Sequence, residues 1–145
     1  MKSRGQIIEI SEVTDITIGE SSLAHDGYRI ELDTGIVIQL LIENYQSCCE
    51  NWGYLYTPDI IQAFLFADVY SWDNTYTPIA REAVGMAAYY DRETSDEDVT
   101  VIAQFITFHT SVGELTFAVY NEHNGYYSHG AKLVINDKVV KEWNL

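Results

Sequence analysis

The chain is poor in cysteine, proline and positive charge. Its two cysteines, Cys48 and Cys49, are adjacent. Neighbouring cysteines cannot staple distant loops, so a disulfide framework is excluded and a cytosolic compartment is expected. The two prolines leave long stretches free to form regular structure. No apolar run approaches the ~18 residues of a membrane-spanning helix. The N-terminal MKSRGQIIEISEV has two basic residues but lacks the apolar core of a signal peptide. A Gly-rich phosphate loop, a G-x-S-x-G nucleophile elbow and an H-E-x-x-H zinc motif are all missing.

Eight Lys and Arg stand against twenty-two Asp and Glu, for a net charge of −14. Residues 1–72 hold three basic and eleven acidic groups, and residues 73–145 hold five and eleven. With the excess spread over both halves and no basic patch, nucleic-acid and anionic-membrane binding are disfavoured, because both draw their affinity from Lys and Arg. A protein partner carrying basic residues is favoured instead. Solubility alone is an equal explanation of the charge, and the two readings differ in whether the carboxylates gather on one face.

What is abundant is strand-like alternation. At 145 residues, 47% of them apolar, the chain makes one domain, 1–145, with a real core. Tyr28, Ile30 and Leu32 alternate with Arg29 and Glu31. Ile36, Ile38, Leu40 and Ile42 share a face, and Asp33-Thr34-Gly35 is a hairpin connection between the two runs. Residues 6–20 read as one or two strands ending at Gly19. Further strands are expected over 65–72, 99–110, 114–121, 131–136 and 139–143, with turns at Ser111-Val112-Gly113, Asn124-Gly125 and Asn136-Asp137. Thr57-Pro58-Asp59 reads as a helix start, giving a short helix over 58–64. A second helix is expected over 79–90 from its Ala, Arg, Glu and Met, with a charged loop after it over 91–99. The expected class is α+β: a mostly antiparallel, curved or partly closed β-sheet with one or two short helices.

The stretch 119-VYNEHNGYYSHG-130 concentrates hydrogen-bonding groups around Asn124-Gly125, a strong hairpin signal. A two-residue turn places His123 opposite Tyr126, Glu122 opposite Tyr127, Asn121 opposite Ser128 and Tyr120 opposite His129. One face then carries Asn121, His123, Tyr126 and Ser128, and the other Tyr120, Glu122, Tyr127 and His129. Tyr and His are ordinary sheet residues and Asn is an ordinary turn residue, so a plain hairpin remains open beside a binding site. An imidazole here could serve as a general base or a metal ligand. No acid or Cys stands at a recognisable ligand spacing, so neither metal nor cofactor is expected. Cys48 and Cys49 read as one core thiol and one in a bend, since strand alternation sends them to opposite faces. A vicinal disulfide and a Cys–His nucleophile are the alternatives. Glu50 caps the following bend and Trp52 covers a sheet edge. His25 is expected to face solvent, and His109 to be a satisfied residue at the core edge.

The residues Gln46 to Glu50 with Trp52 and Gly53, and Phe117 to Tyr127 with His129, resemble the signature of a small, uncharacterised domain family found in bacterial and phage genomes. The resemblance spans roughly residues 30 to 135. It transfers no catalytic role, but it implies that the two blocks lie together in space. The phage association implies a host-directed binding or inhibitor protein.

Three functions follow as expectations. The first is a non-enzymatic acidic binding protein, in its sharpest form an inhibitor of a nucleic-acid-handling or defence protein whose groove the carboxylates occupy as phosphates would. The second is a small-molecule, nucleotide-like or sugar-like, or a hydrolytic or metal site. It would use Asn121, His123, Asn124, Tyr126, Tyr127 and His129 with Cys48, Cys49, Glu50 and Trp52. The third is a homo-oligomer joined through strand edges.

Overall fold

A computed structural model describes residues 2–19, 22–45, 51–79, 100–123 and 129–145; for 51, 76–79, 100, 101, 122 and 123 it describes the backbone alone. The strands are β1 (Ile7–Ile16), β2 (His25–Leu32), β3 (Val37–Glu43), β4 (Asn51–Thr57), β5 (Val69–Ile79), β6 (Thr100–Thr110), β7 (Gly113–His123), β8 (Gly130–Ile135) and β9 (Lys138–Asn144). They form two antiparallel sheets, one ordered β1-β2-β3-β8-β9 and the other β4-β7-β6-β5.

The turns follow their local chemistry. Gly35 takes φ +92° between β2 and β3, and Gly113 takes φ +126° between β6 and β7. Asn136 and Asp137 both have positive φ, 50° and 67°, the pattern of a tight turn that matches the twist of its strands. Asn136 Oδ1 also accepts from the Val37 amide at 2.8 Å, tying this turn to the start of β3.

The inner faces of the two sheets share one core. Ile30, Leu32, Ile38, Leu40, Ile42 and Leu133 come from the first sheet, and Ile106, Phe108, Leu115, Phe117 and Val119 from the second. Aromatic rings bridge the layers: Tyr28 lies 4.9 Å from Phe117 and 5.3 Å from Tyr54, centroid to centroid. At one corner residues 4–7 run beside 66–69. The Arg4 amide donates to the Val69 carbonyl at 2.7 Å, and the Val69 amide to the Gly5 carbonyl at 2.9 Å.

The expected α+β class is corrected to an all-β one. Among the described residues no α-helix occurs, and the two sheets are open rather than one partly closed sheet. The expected helix over 58–64 shrinks to a single 3₁₀ turn, Ile61–Phe64. β4 continues through Thr57, which pairs with Thr116, so the capping signal is absorbed by a ladder. Too few residues remain for a helix to gain from cooperativity, and only Phe64 of the turn is buried. The strand expected from residue 65 begins at Val69. Of the expected helix over 79–90, Ile79 is the last residue of β5, paired with Val101, and the rest lies outside the described residues. So does the expected loop over 91–99.

Candidate functional site

The polar segment around Asn124-Gly125 is not a hairpin within one sheet. β7 pairs with β4 and β6, whereas β8 pairs with β3 and β9. The chain therefore changes sheets between His123 and Gly130. Tyr120 lies opposite Gly53 and Ala103 rather than His129, and Asn121 opposite Trp52 and Ile102 rather than Ser128. The two faces expected from hairpin pairing do not form.

Asn124, Tyr126, Tyr127, Cys48, Cys49 and Glu50 lie outside the described residues, and His123 is placed by its backbone as the last residue of β7, opposite Thr100. The remaining candidates meet. Trp52 and Asn121 are cross-strand partners on the inner face of the second sheet. His129 is fully buried, with its ring stacked 4.3 Å from Tyr45 and 5.5 Å from Trp52. Its Nδ1 donates to the Glu43 carbonyl at 2.7 Å, which fixes the Nδ1–H tautomer. His129 and Leu145 exchange backbone hydrogen bonds at 3.0 and 2.8 Å, and Asn121 Nδ2 donates to the Leu145 carbonyl at 3.2 Å. Members of both sequence blocks thus share one polar junction between the sheets. His129 is built into that junction rather than offered to solvent. Glu43 and Tyr45, which complete it, had no sequence signal beyond closing a strand.

A second polar group occupies the outer face of the first sheet. His25 pairs with Glu43, Leu41 with Lys132, Lys132 with Glu142, and Gly130 with Asn144, so these side chains fall in adjacent rows. His25 was expected to face solvent and is instead fully buried, because β2 begins at this residue. Its Nε2 lies 2.9 Å from Lys132 Nζ, the ammonium donating to the imidazole. The Glu43 carboxylate accepts from the Gly130 amide, and a side chain at position 130 would collide with it. A cavity of about 380 Å³ opens here, lined by Glu43, Lys132, Glu142, Trp143 and Asn144 over the Gly130 backbone.

Burial, and then the Lys132 charge, lower the pKa of His25 from 6.5. The unfolded chain therefore binds this proton more tightly than the folded one, and stability rises with pH across that interval. The melting temperature should fall as pH drops through about 6.5, where an unfolded histidine begins to protonate, and a His25→Gln variant should flatten that slope. An unchanged slope in the variant would remove His25 as its source.

Charge is segregated across the first sheet. β1 carries Glu9, Glu12 and Asp15 and β2 carries Asp26 and Glu31, with Arg29 contacting Glu9 at 3.1 Å and Glu31 at 3.5 Å. Asn44 Nδ2 ties Asp15 and Asp26 together at 2.6 and 2.9 Å, and Tyr54 donates to Glu12. Burial, and then that bond to Glu12, raise the pKa of Tyr54. Lys132, Lys138 and Lys141 stand on β8 and β9, away from this acidic margin. On the second sheet, half-exposed His109 sits between Asp73, 2.6 Å away, and Glu114, 3.3 Å away. It is satisfied, as expected. Among the described residues no group of three or more His, Cys, Asp or Glu side chains is arranged to hold a metal ion. No described helix is long and apolar enough to cross a membrane.

The fold and its sites define a two-sheet, all-β domain with a polar inter-sheet junction and an acidic strand edge. The chain belongs to a family described as a domain of unknown function, DUF7448, whose model matches residues 5–133. That match agrees with the expected uncharacterised family and begins earlier in the chain than residue 30. No curated protein and no solved structure matches the chain.

Proposed function

We propose that the protein is a non-enzymatic binding domain that takes up an extended, basic segment of a partner protein along β1, in the cytosol. The observation that supports this is the segregation of charge between the two margins of the first sheet. Among the described strands β1 pairs only with β2, and past Ile7, whose backbone bonds to residues 66 and 67, its other side is an open edge. Its pairing with β2 is regular from Glu9 to Val13, between two irregularities. An open, regular edge is a template for an added strand. Lysines commonly guard such edges. β9 carries Lys138 and Lys141, whereas β1 carries Glu9, Glu12 and Asp15. β1 thus lacks the guard and carries the opposite charge, which suits a lysine- or arginine-bearing strand. In its sharper form the partner is a nucleic-acid-handling or defence protein, held by carboxylates in place of phosphates.

The test is parallel capture from lysate with the wild type and a Glu9→Lys/Glu12→Lys variant of matched melting temperature. A basic protein is expected on the wild type, with recovery falling about tenfold or more in the variant and falling again as salt is raised. Equal recovery on both proteins, or no recovery on the wild type, would overturn the reading.

A further inference from the structure

We propose that the cavity on the outer face of the first sheet binds a free basic amino acid of the lysine or arginine type, carboxylate to Lys132 and cationic groups to Glu43 and Glu142. This site is separate from the β1 edge and stands or falls without it.

Lys132 carries the argument. An ammonium has three donors, and one of them is spent on His25 Nε2. Among the described residues no carboxylate lies within ion-pair distance of Lys132 Nζ, although Glu43 and Glu142 line the same cavity. In a chain with a net charge of −14, a half-buried cation with no carboxylate partner is out of keeping with its surroundings. The buried imidazole anchors the ammonium at a set position without neutralising it, because a neutral ring nitrogen accepts and adds no charge. Two donors remain to meet an anionic group.

The flanking groups are placed as deliberately. The Glu43 carboxylate lies over the β8 backbone and spends one oxygen on the Gly130 amide. Only glycine at position 130 leaves room for it. Glu142, exposed on β9, is the cross-strand partner of Lys132 and stands on the other side of the ammonium. Trp143 and Asn144 complete the lining, with the Trp143 ring itself turned to the core on the other face of the sheet. The volume, about 380 Å³, is within the range of small-molecule pockets.

Counting charge narrows the ligand. The cavity offers one cation and two carboxylates. A neutral zwitterion would satisfy Lys132 and one carboxylate and leave the other unmatched. A basic amino acid carries one carboxylate and two cationic groups, the reverse of the set that lines the cavity. The acidic surface also raises the local concentration of such a ligand.

The experiment is calorimetric titration of the full chain with L-arginine, L-lysine, L-alanine and agmatine, the last being arginine without its carboxylate. Arginine or lysine should bind saturably at one site, with alanine and agmatine each weaker by about tenfold or more. Lys132→Met should weaken arginine binding about tenfold to a hundredfold. Glu142→Gln, at an exposed position that tolerates change, should weaken arginine and lysine and leave alanine unaffected. The agmatine comparison uses the wild-type protein, so the carboxylate requirement is tested even where a variant folds poorly. Agmatine binding as well as arginine would reduce the site to general attraction of cations and overturn the proposal. No saturable heat with either basic amino acid would overturn it as well.

Discussion

Phe117→Ala should cost about 3–5 kcal/mol, the usual range for removing a fully buried phenylalanine, and lower the melting temperature by roughly 10–15 °C for a domain of this size. Phe117 is fully buried on β7, a central strand of the second sheet. Its ring meets Tyr28 of the first sheet at 4.9 Å, Phe108 at 5.9 Å and Tyr56 at 6.4 Å. Deleting it opens a void where the two layers meet, with ladders on both sides that limit collapse into the gap. Phe117→Leu should cost much less, because most of the volume is kept. Thermal and urea unfolding of both variants measures this. A loss below about 1 kcal/mol for the alanine variant would mean that the sheets do not share this core.

His129→Ala should be the next most damaging change, at about 2–4 kcal/mol, combining lost aromatic packing with a lost buried hydrogen bond. The ring lies between Tyr45 and Trp52, and its Nδ1 holds the Glu43 carbonyl. That one side chain connects the end of β3, the start of β4 and the entry to β8. His129→Phe separates the two contributions. It keeps the stack and loses the bond, so it should cost about 1–2 kcal/mol. Trp52 offers an independent readout, since its indole packs on the imidazole and its fluorescence should respond to the alanine variant. An alanine variant as stable as the wild type, with unchanged Trp52 emission, would show that the junction is not held through His129.

These two sites differ in how far the sequence announced them. Phe117 stands in 114-ELTFAVYN-121, where alternation already places Leu115, Phe117 and Val119 on one face. The shared burial of that face follows from hydrophobic transfer alone. His129 was singled out for the density of polar groups around it. Its partners differ from the expected ones because the pairing assumed a hairpin. Asn-Gly is a local signal, but the partners of the strands on either side of it are chosen by sheets assembled from distant residues. β7 finds β4 and β6, and β8 finds β3 and β9. His25 failed for a related reason. A Ser-Leu-Ala-His-Asp-Gly stretch is loop-like in composition, yet β2 starts at the histidine and a lysine more than a hundred residues away closes over it.

The sequence by itself determined most of the strands and turns, because alternation with period two and residues tolerant of positive φ are local properties; the exception is β4, which runs from Asn51 where a bend was expected after Glu50 and is set by its pairing with β7. It determined the acidity and the family to which the chain belongs. Tertiary structure alone decided the rest. The 58–64 helix was lost to a ladder that runs through Thr57. Leu41 and Val134, on the face that alternation assigns to solvent, are fully buried. Glu43, Lys132 and Glu142 are ordinary strand residues until three strands set them side by side around a cavity. Alternation says which way a side chain points along its own strand. Only long-range pairing says what it meets there, and pairing is settled by the free energy of the whole assembled core.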